Sequence, residues 1–183
     1  MISLDERLEQ WIVDHRVGWL DPVFVGLTYA GTHGLLWIGL GVVAAVAWRR
    51  PWVALLVPVA VLLADLSATG LKHATDRRRP EEALDGIDVL VTTPSTPAFP
   101  SGHAATSFAA AVVLAVAMPA LAPAFVVLAA LVGFSRLYVG VHFPLDVLGG
   151  AALGAIVATA LLLLARSLRR SRPLRTRGLP TGR

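Results

Sequence analysis

Long apolar runs alternate with short polar islands along this 183-residue chain. Crossing a bilayer takes about 20 apolar residues, somewhat fewer where flanking side chains snorkel or the bilayer thins. Four runs qualify: Trp52 to Lys72, Ala104 to Met118, Leu121 to Val141 and Leu145 to Ala165. A fifth stretch, Trp19 to Trp48, is too long for one straight span and is interrupted by the polar AGTHG at Ala30 to Gly34. It predicts a short half-buried helix followed by a span ending at Arg49, with two short crossings as the alternative. The pattern therefore predicts an all-α integral membrane helical bundle of about five to six spans. Gly150 and Gly154 form a GxxxG step, and small residues punctuate the other runs, which lets helices approach closely inside a membrane.

Ahead of the bundle, Leu4, Leu8, Trp11 and Ile12 recur at helical spacing, with Asp5, Glu6, Glu9 and Gln10 on the rest of the circumference. This predicts an amphipathic helix on the membrane surface, or one packed on the bundle. The mixed charges, with no apolar run leading to a small-residue cleavage site, do not read as a secretory signal. The expected organisation is one membrane-embedded domain over 1–183, with an interfacial helix at 1–18, the bundle at 19–165 and an arginine-rich cytoplasmic tail at 166–183. Arg49 and Arg50 close the first span and seven arginines follow Ala165, so both ends are expected on the cytoplasmic side. The loop from Ala74 to Pro100 then lies on the extracytoplasmic side, although it carries Arg77, Arg78 and Arg79. Pairing of Arg77 and Arg78 with Glu81, Glu82 or the membrane surface is the expected reason.

Composition narrows the class. With 56% apolar residues the chain is too hydrophobic for an ordinary soluble fold. Without cysteine it has neither a disulfide framework nor a thiolate metal site. The net charge of +4 is carried by arginine, Lys72 being the only lysine. The basic tail reads as a topology determinant and a contact for anionic lipid, and nothing suggests nucleic-acid recognition.

Three polar islands fall at one membrane face in this topology: KHATDRRRP at Lys72 to Pro80, FPSGH at Phe99 to His103, and GFSRLYVGVHFPLD at Gly133 to Asp146. Lys72, Arg79 and Arg136 are cations at one interface with few carboxylates to neutralise them, which suits an anion with several oxygens, although snorkelling to headgroups explains any one of them alone. Ser101 is placed to cap a helix starting near Gly102, whose free N–H groups would suit an anion, with His103 at its edge. Pro144 suits a first helical turn, so Asp146 is near enough to bond one imidazole nitrogen of His142 and leave the other as nucleophile or base. A buried polar pair or half a metal site would use the same spacing. Asp65, two turns before Lys72, is a functional candidate by default or a structural partner for a cation. His15 and His33 have no visible partners.

Together the islands are far more specific. Lys72, six residues, then Arg79-Pro80; Pro100-Ser101-Gly102-His103; Ser135-Arg136, five residues, His142, three residues, Asp146: at every fixed position this resembles the signature of the type 2 phosphatidic acid phosphatase family, relatives of the vanadium haloperoxidases. The intervals of nineteen and thirty-one residues between islands agree with it. The resemblance implies that His142 is the nucleophile that becomes a phosphohistidine, that Asp146 orients it, and that His103 is general acid and then base. It also implies a phosphate cradle of Lys72, Arg79, Arg136, Ser101 and the Gly102 backbone, with a hydrogen bond from Ser135. Cations then stand where other phosphoryl-transfer enzymes use magnesium, so neither metal nor cofactor is expected. The implied partners are a lipid phosphate or diphosphate and the bilayer. The implied reaction is hydrolysis of undecaprenyl diphosphate, phosphatidylglycerol phosphate or phosphatidate, the compact chain and extra arginines leaning towards the first; Arg77 and Arg78 holding its second phosphate is the alternative to their pairing with Glu81, Glu82 or the membrane surface. A vanadate-dependent peroxidase would share the cradle but is usually soluble. A non-enzymatic lipid-phosphate binder or transporter would keep the cations without needing His103, His142 and Asp146 together.

Overall fold

The computed structural model describes residues 3–170 and contains no strand among them. Eight α-helices follow in order: α1 (Leu4–Asp14), α2 (Asp21–Gly31), α3 (Leu35–Ala47), α4 (Pro51–Thr75), α5 (Pro80–Ala83), α6 (Gly102–Ala117), α7 (Ala122–Tyr138) and α8 (Pro144–Arg170). Pro51, Pro80 and Pro144 each open a helix, where the missing N–H has no intrahelical partner to lose. Residues 171–183 of the expected tail lie outside the described residues, while Arg166 to Arg170 continue α8.

Four segments are long and apolar enough to cross a membrane: 18–47, 51–83, 119–138 and 144–170, with mean hydropathy between 1.6 and 2.4. With the shorter apolar α6 among them, the protein is an integral membrane bundle at the lower end of the expected span count. The segment 18–47 is one broken rod, because His33 (φ 50°) and Gly34 (φ 69°) are left-handed and separate α2 from α3. α7 stops at Tyr138, short of the expected Val141. The chain turns at Gly140 (φ 83°), where a β-carbon would stand 2.8 Å from Arg16 Nη2 and 2.9 Å from the Asp88 carbonyl oxygen.

α6 is the hub, packed against α3, α4, α7 and α8. Its alanines at 104, 105, 109 and 110 are fully buried, so neighbours approach its backbone rather than its side chains. The expected glycine step works here: a methyl group at Gly150 would collide with the Ser101 carbonyl, and one at Gly154 with that of Ala105. α3 is tied to α6 by the buried Trp37, whose Nε1 donates to Ser107 Oγ at 2.9 Å. Outward side chains such as Val46, Leu55 and Ile156 are 75%, 66% and 67% exposed, an apolar girdle that only lipid can cover.

α1 packs on α7 and α8, so the second of the two readings describes it. Its polarity runs opposite to that of a soluble-protein helix. Asp5 and Glu9 face the bundle and are buried, whereas Leu4, Leu8 and Trp11 point outward. The long loop after α4 is held by side chains rather than by regular pairing, with Lys72, Thr75, Arg79 and Arg16 all donating to its carbonyls.

Candidate active site

α4, α6 and α7, the helix break after α2, the long loop and the loop that carries His142 enclose a cavity of 260 Å³. Its lining includes Lys72, Arg79, Gly102, His103, Arg136 and His142, so six of the nine expected site residues meet in one space. α4 delivers Lys72 from its last turn, buried, with Nζ donating to the Pro97 carbonyl at 2.5 Å. Arg79 is 2% exposed and braced by the loop, through Nε to the Thr96 carbonyl, Nη2 to Thr96 Oγ1 and Nη1 to the Val141 carbonyl. Arg136 is 3% exposed, and its Nε has no hydrogen-bond partner. Such a group is costly to bury without an acceptor, so an anion has a place here. None of these three cations forms an ion pair with a carboxylate.

Ser101 sits at the N-cap of α6 and is fully buried, but its hydroxyl makes no capping bond and has no partner. Its N–H donates instead to the Asp146 carbonyl at 2.9 Å, which locks the start of α6 to the first turn of α8. Neither Ser101 nor Asp146 lines the cavity; both stand behind it. Ser135 does not reach the cavity either, contrary to expectation. Its hydroxyl donates to the Val132 carbonyl (2.7 Å) and pairs with Thr28 Oγ1 (2.8 Å), joining α7 to α2.

His142 lies in the buried loop between α7 and α8. Its Nδ1 donates to Asp146 Oδ2 at 3.4 Å, a long contact that leaves Nε2 with the lone pair. Burial, reinforced by Arg136, Arg79 and Lys72, holds this imidazole well below the ordinary histidine range, so it is neutral at neutral pH. His103, in the first turn of α6, donates through Nε2 to the Thr28 carbonyl at 3.2 Å, which assigns Nδ1 to any other proton exchange. A β-carbon at Gly31 would stand 3.2 Å from the His103 ring, so the helix break after α2 is shaped around this histidine.

Arg77, expected on Glu81, Glu82 or the membrane surface with a second phosphate of the substrate as the alternative, stands behind the cavity instead. It pairs with neither Glu81 nor Glu82: Nη1 donates to Asp146 Oδ1 at 2.7 Å and Nη2 to Asp5 Oδ2 at 2.5 Å, with the guanidinium 4.6 Å from the Phe143 ring centre. Asp5 Oδ1 also accepts from Leu145 N at 2.9 Å, in the first turn of α8. A chain of contacts thus runs from α1 through Asp5, Arg77 and Asp146 to His142. Thr28, His33, Asp65 and Thr69 are further residues at or beside the cavity, and of these only Asp65 had been singled out. No group of three or more His, Asp or Glu gathers as metal ligands among the described residues.

Over residues 52–170, the span containing all nine expected site residues, the chain matches the model of the PAP2 superfamily. The chain belongs to the PAP2 superfamily. This PAP2 protein is 38% identical over 135 residues to the decaprenylphosphoryl-5-phosphoribose phosphatase of Mycobacterium tuberculosis, covering 72% of this chain and 73% of that one. Among crystal structures it resembles LpxE of Aquifex aeolicus, with a TM-score of 0.78 and 29% identity over 88% of this chain and 96% of that one. It also resembles a transmembrane PAP2-type phosphatidylglycerolphosphate phosphatase of Bacillus subtilis, with a TM-score of 0.73 and 30% identity over 92% and 87%.

Proposed function

We propose that this PAP2 protein is a lipid phosphate phosphatase that works through a phosphohistidine at His142. The observation that carries the proposal is the unmatched positive charge of the cavity. Lys72, Arg79 and Arg136 converge on it without a carboxylate partner among the described residues, Arg136 Nε is buried and unpaired, and Asp146 is turned away onto Arg77 and His142. A phosphoryl group supplies the missing acceptors. Phosphoryl transfer needs stabilisation of the equatorial oxygens, and fixed cations provide it without reorganising.

In the first half-reaction His142 Nε2 attacks phosphorus. The N–P bond forms as the P–O bond to the leaving group breaks, and protonated His103 passes its Nδ1 proton to the departing oxygen. Asp146 stabilises the positive ring that results. In the second half His103 takes a proton from water while the water oxygen attacks phosphorus, the N–P bond breaks, and inorganic phosphate and a neutral His142 remain. A non-enzymatic binder would have no use for two histidines flanking the anion, one with its Nδ1 turned to a buried carboxylate.

The extracytoplasmic face is the proposed location of the site. Trp52, next to the Arg49–Arg50 pair, and Arg166 and Arg169 line one pocket at the opposite end of the bundle, and this basic end is the cytoplasmic one by the positive-inside rule. The arginines at the site end oppose the rule less than their number suggests, since Arg77 and Arg79 are consumed by internal contacts.

The test is phosphate release by the purified full chain from lipid phosphates in the presence of EDTA, together with quenching in alkaline detergent to trap an acid-labile, base-stable phosphoprotein. His142→Ala should abolish both signals while orthovanadate still protects the fold against heat. Turnover near that of the parent in this variant would remove His142 as nucleophile, and no release by folded parent protein would leave only a binder.

A further inference from the structure

The cavity is larger than a phosphoryl group needs. Past His103 it continues to a wall made by Thr32 and His33 at the helix break and by Asp65 and Thr69 on α4. Asp65 lies seven residues before Lys72, about 10 Å further down the helix axis at 1.5 Å per residue. A methyl group at Gly102 would stand 3.7 Å from Asp65 Oδ1, so this carboxyl group borders the floor of the phosphate site. The side chains of Asp65, Thr69 and His33 make no hydrogen bond or ion pair among the described residues. A carboxyl group inside a membrane span is expensive unless it faces water or a polar ligand.

His103 fixes which part of a substrate meets that wall. It protonates the leaving oxygen, so the group released on P–O cleavage extends from His103 towards Asp65 and Thr69. Hydrocarbon there would leave these polar groups desolvated. A second phosphate would meet the carboxyl group of Asp65 while Lys72, Arg79 and Arg136 are taken up by the first, and Arg77 is held by Asp5 and Asp146 outside this cavity. Hydroxyl groups donate to a carboxyl oxygen and exchange hydrogen bonds with a threonine, and they satisfy the wall without adding charge.

We propose that Asp65 and Thr69 form a subsite for the hydroxyls of a polyol, so that the preferred substrates are lipids whose terminal phosphate is esterified to glycerol or a sugar rather than lipid diphosphates. The proposal rests on the phosphatase reading above. It redirects the compact-chain argument for a polyprenyl diphosphate, since of the arginines that supported it Arg77 is held by Asp5 and Asp146 and Arg78 does not line the cavity.

Three lipids separate the possibilities. Phosphatidylglycerol phosphate releases phosphatidylglycerol, whose headgroup glycerol carries a free hydroxyl beside the cleaved ester; phosphatidate is a monoester with none, and undecaprenyl diphosphate places a phosphate there. For the full chain in mixed micelles, kcat/KM should be highest for phosphatidylglycerol phosphate. Asp65→Ala should narrow its lead over phosphatidate by about tenfold or more, the loss expected for a hydrogen bond to a charged group. Asp65→Asn should improve undecaprenyl diphosphate relative to both monoesters. Thr69→Val, which keeps the carboxyl group, should narrow the same lead about threefold to tenfold. The subsite is overturned if the parent prefers the diphosphate, or if the variants lower all three substrates by one factor. Release from none of the three by folded protein would sink the phosphatase reading itself.

Discussion

Arg77 offers the sharpest test of how the site is held, because two incompatible roles are open to an arginine beside a phosphate cavity. If it binds substrate, its loss raises KM. If it positions Asp146, its loss lowers kcat. The geometry supports the second role: one guanidinium nitrogen is 2.7 Å from Asp146 and another 2.5 Å from Asp5, and Arg77 does not line the cavity. Replacing it with lysine keeps the charge and removes the planar fork, so one ammonium cannot serve both carboxylates at their present separation. A lost hydrogen bond between charged groups is worth about 1.5 to 3 kcal/mol, which corresponds to about tenfold to hundredfold in rate if it is felt in the transition state. Arg77→Lys should therefore lower kcat for phosphate release by that factor and leave KM within about twofold. Asp5→Asn should produce a smaller loss of the same kind, and the double variant should lose less than the product of the two, because both break one chain of contacts. Arg77→Ala should also lower thermal stability, since the fully buried Asp146 loses a charged hydrogen bond worth about 1.5 to 3 kcal/mol. A rise in KM with kcat unchanged for Arg77→Lys would refute the positioning role and place this arginine on the substrate.

Two further outcomes follow from the same geometry. His103→Ala should slow phosphate release most for lipids with poor alkoxide leaving groups and least for an activated aryl phosphate, with Thr28 unaffected because it contributes only its backbone carbonyl; an equal loss across leaving groups would remove the acid role. Glu9 is fully buried with both carboxyl oxygens unpaired, and burial, aided by the like charges of Asp146 and Asp5 and opposed by Arg16, raises its pKa from 4.5 to about 9. The folded protein then keeps a proton that the unfolded chain releases, so this group's contribution to stability is complete below about pH 4.5 and is lost as pH rises towards about 9, a ceiling of about 4 kcal/mol at pH 7.5. Glu9→Gln should raise the melting temperature in detergent above neutrality and flatten its dependence on pH, and an unchanged slope in the variant would exclude Glu9 as its source.

What the sequence revealed and what it concealed have a common physical basis. Lys72, Arg79, His103, Arg136, His142 and Asp146 stand at or next to helix ends, where local spacing fixes position, so a linear reading brings them together correctly. Pro144 and Gly140 mark the loop that carries His142 for the same local reason. The partners that orient these groups are chosen by tertiary packing. Asp5 meets Arg77 from 72 residues away, and Thr28 meets His103 from 75 residues away through a carbonyl that every residue type possesses. Ser135 looks like a phosphate ligand by type and place, yet α2 offers it Thr28 first. A signal for Arg77 did exist: three arginines at the site end had to find anions, and α1 carries acidic residues on a face opposite to its leucines.

That acidic face gives the signature-free N-terminal helix a part in the chemistry. Asp146 alone would sit among Lys72, Arg79 and Arg136, and its negative charge would offset the positive field of the proposed phosphate cradle. Arg77 draws one carboxylate oxygen away and leaves the other to Phe143 N and His142. An unpaired arginine in that place would itself be a fourth cation competing for the substrate. Asp5 removes the competition, and by accepting from Leu145 N it fastens the arrangement to the first turn of the helix that carries Asp146. Charge at the site is therefore sorted into two layers, a cradle left net positive towards the cavity and a matched set behind it that acts on His142. A chain lacking residues 1–5 would keep every motif residue and leave Arg77 without its second carboxylate.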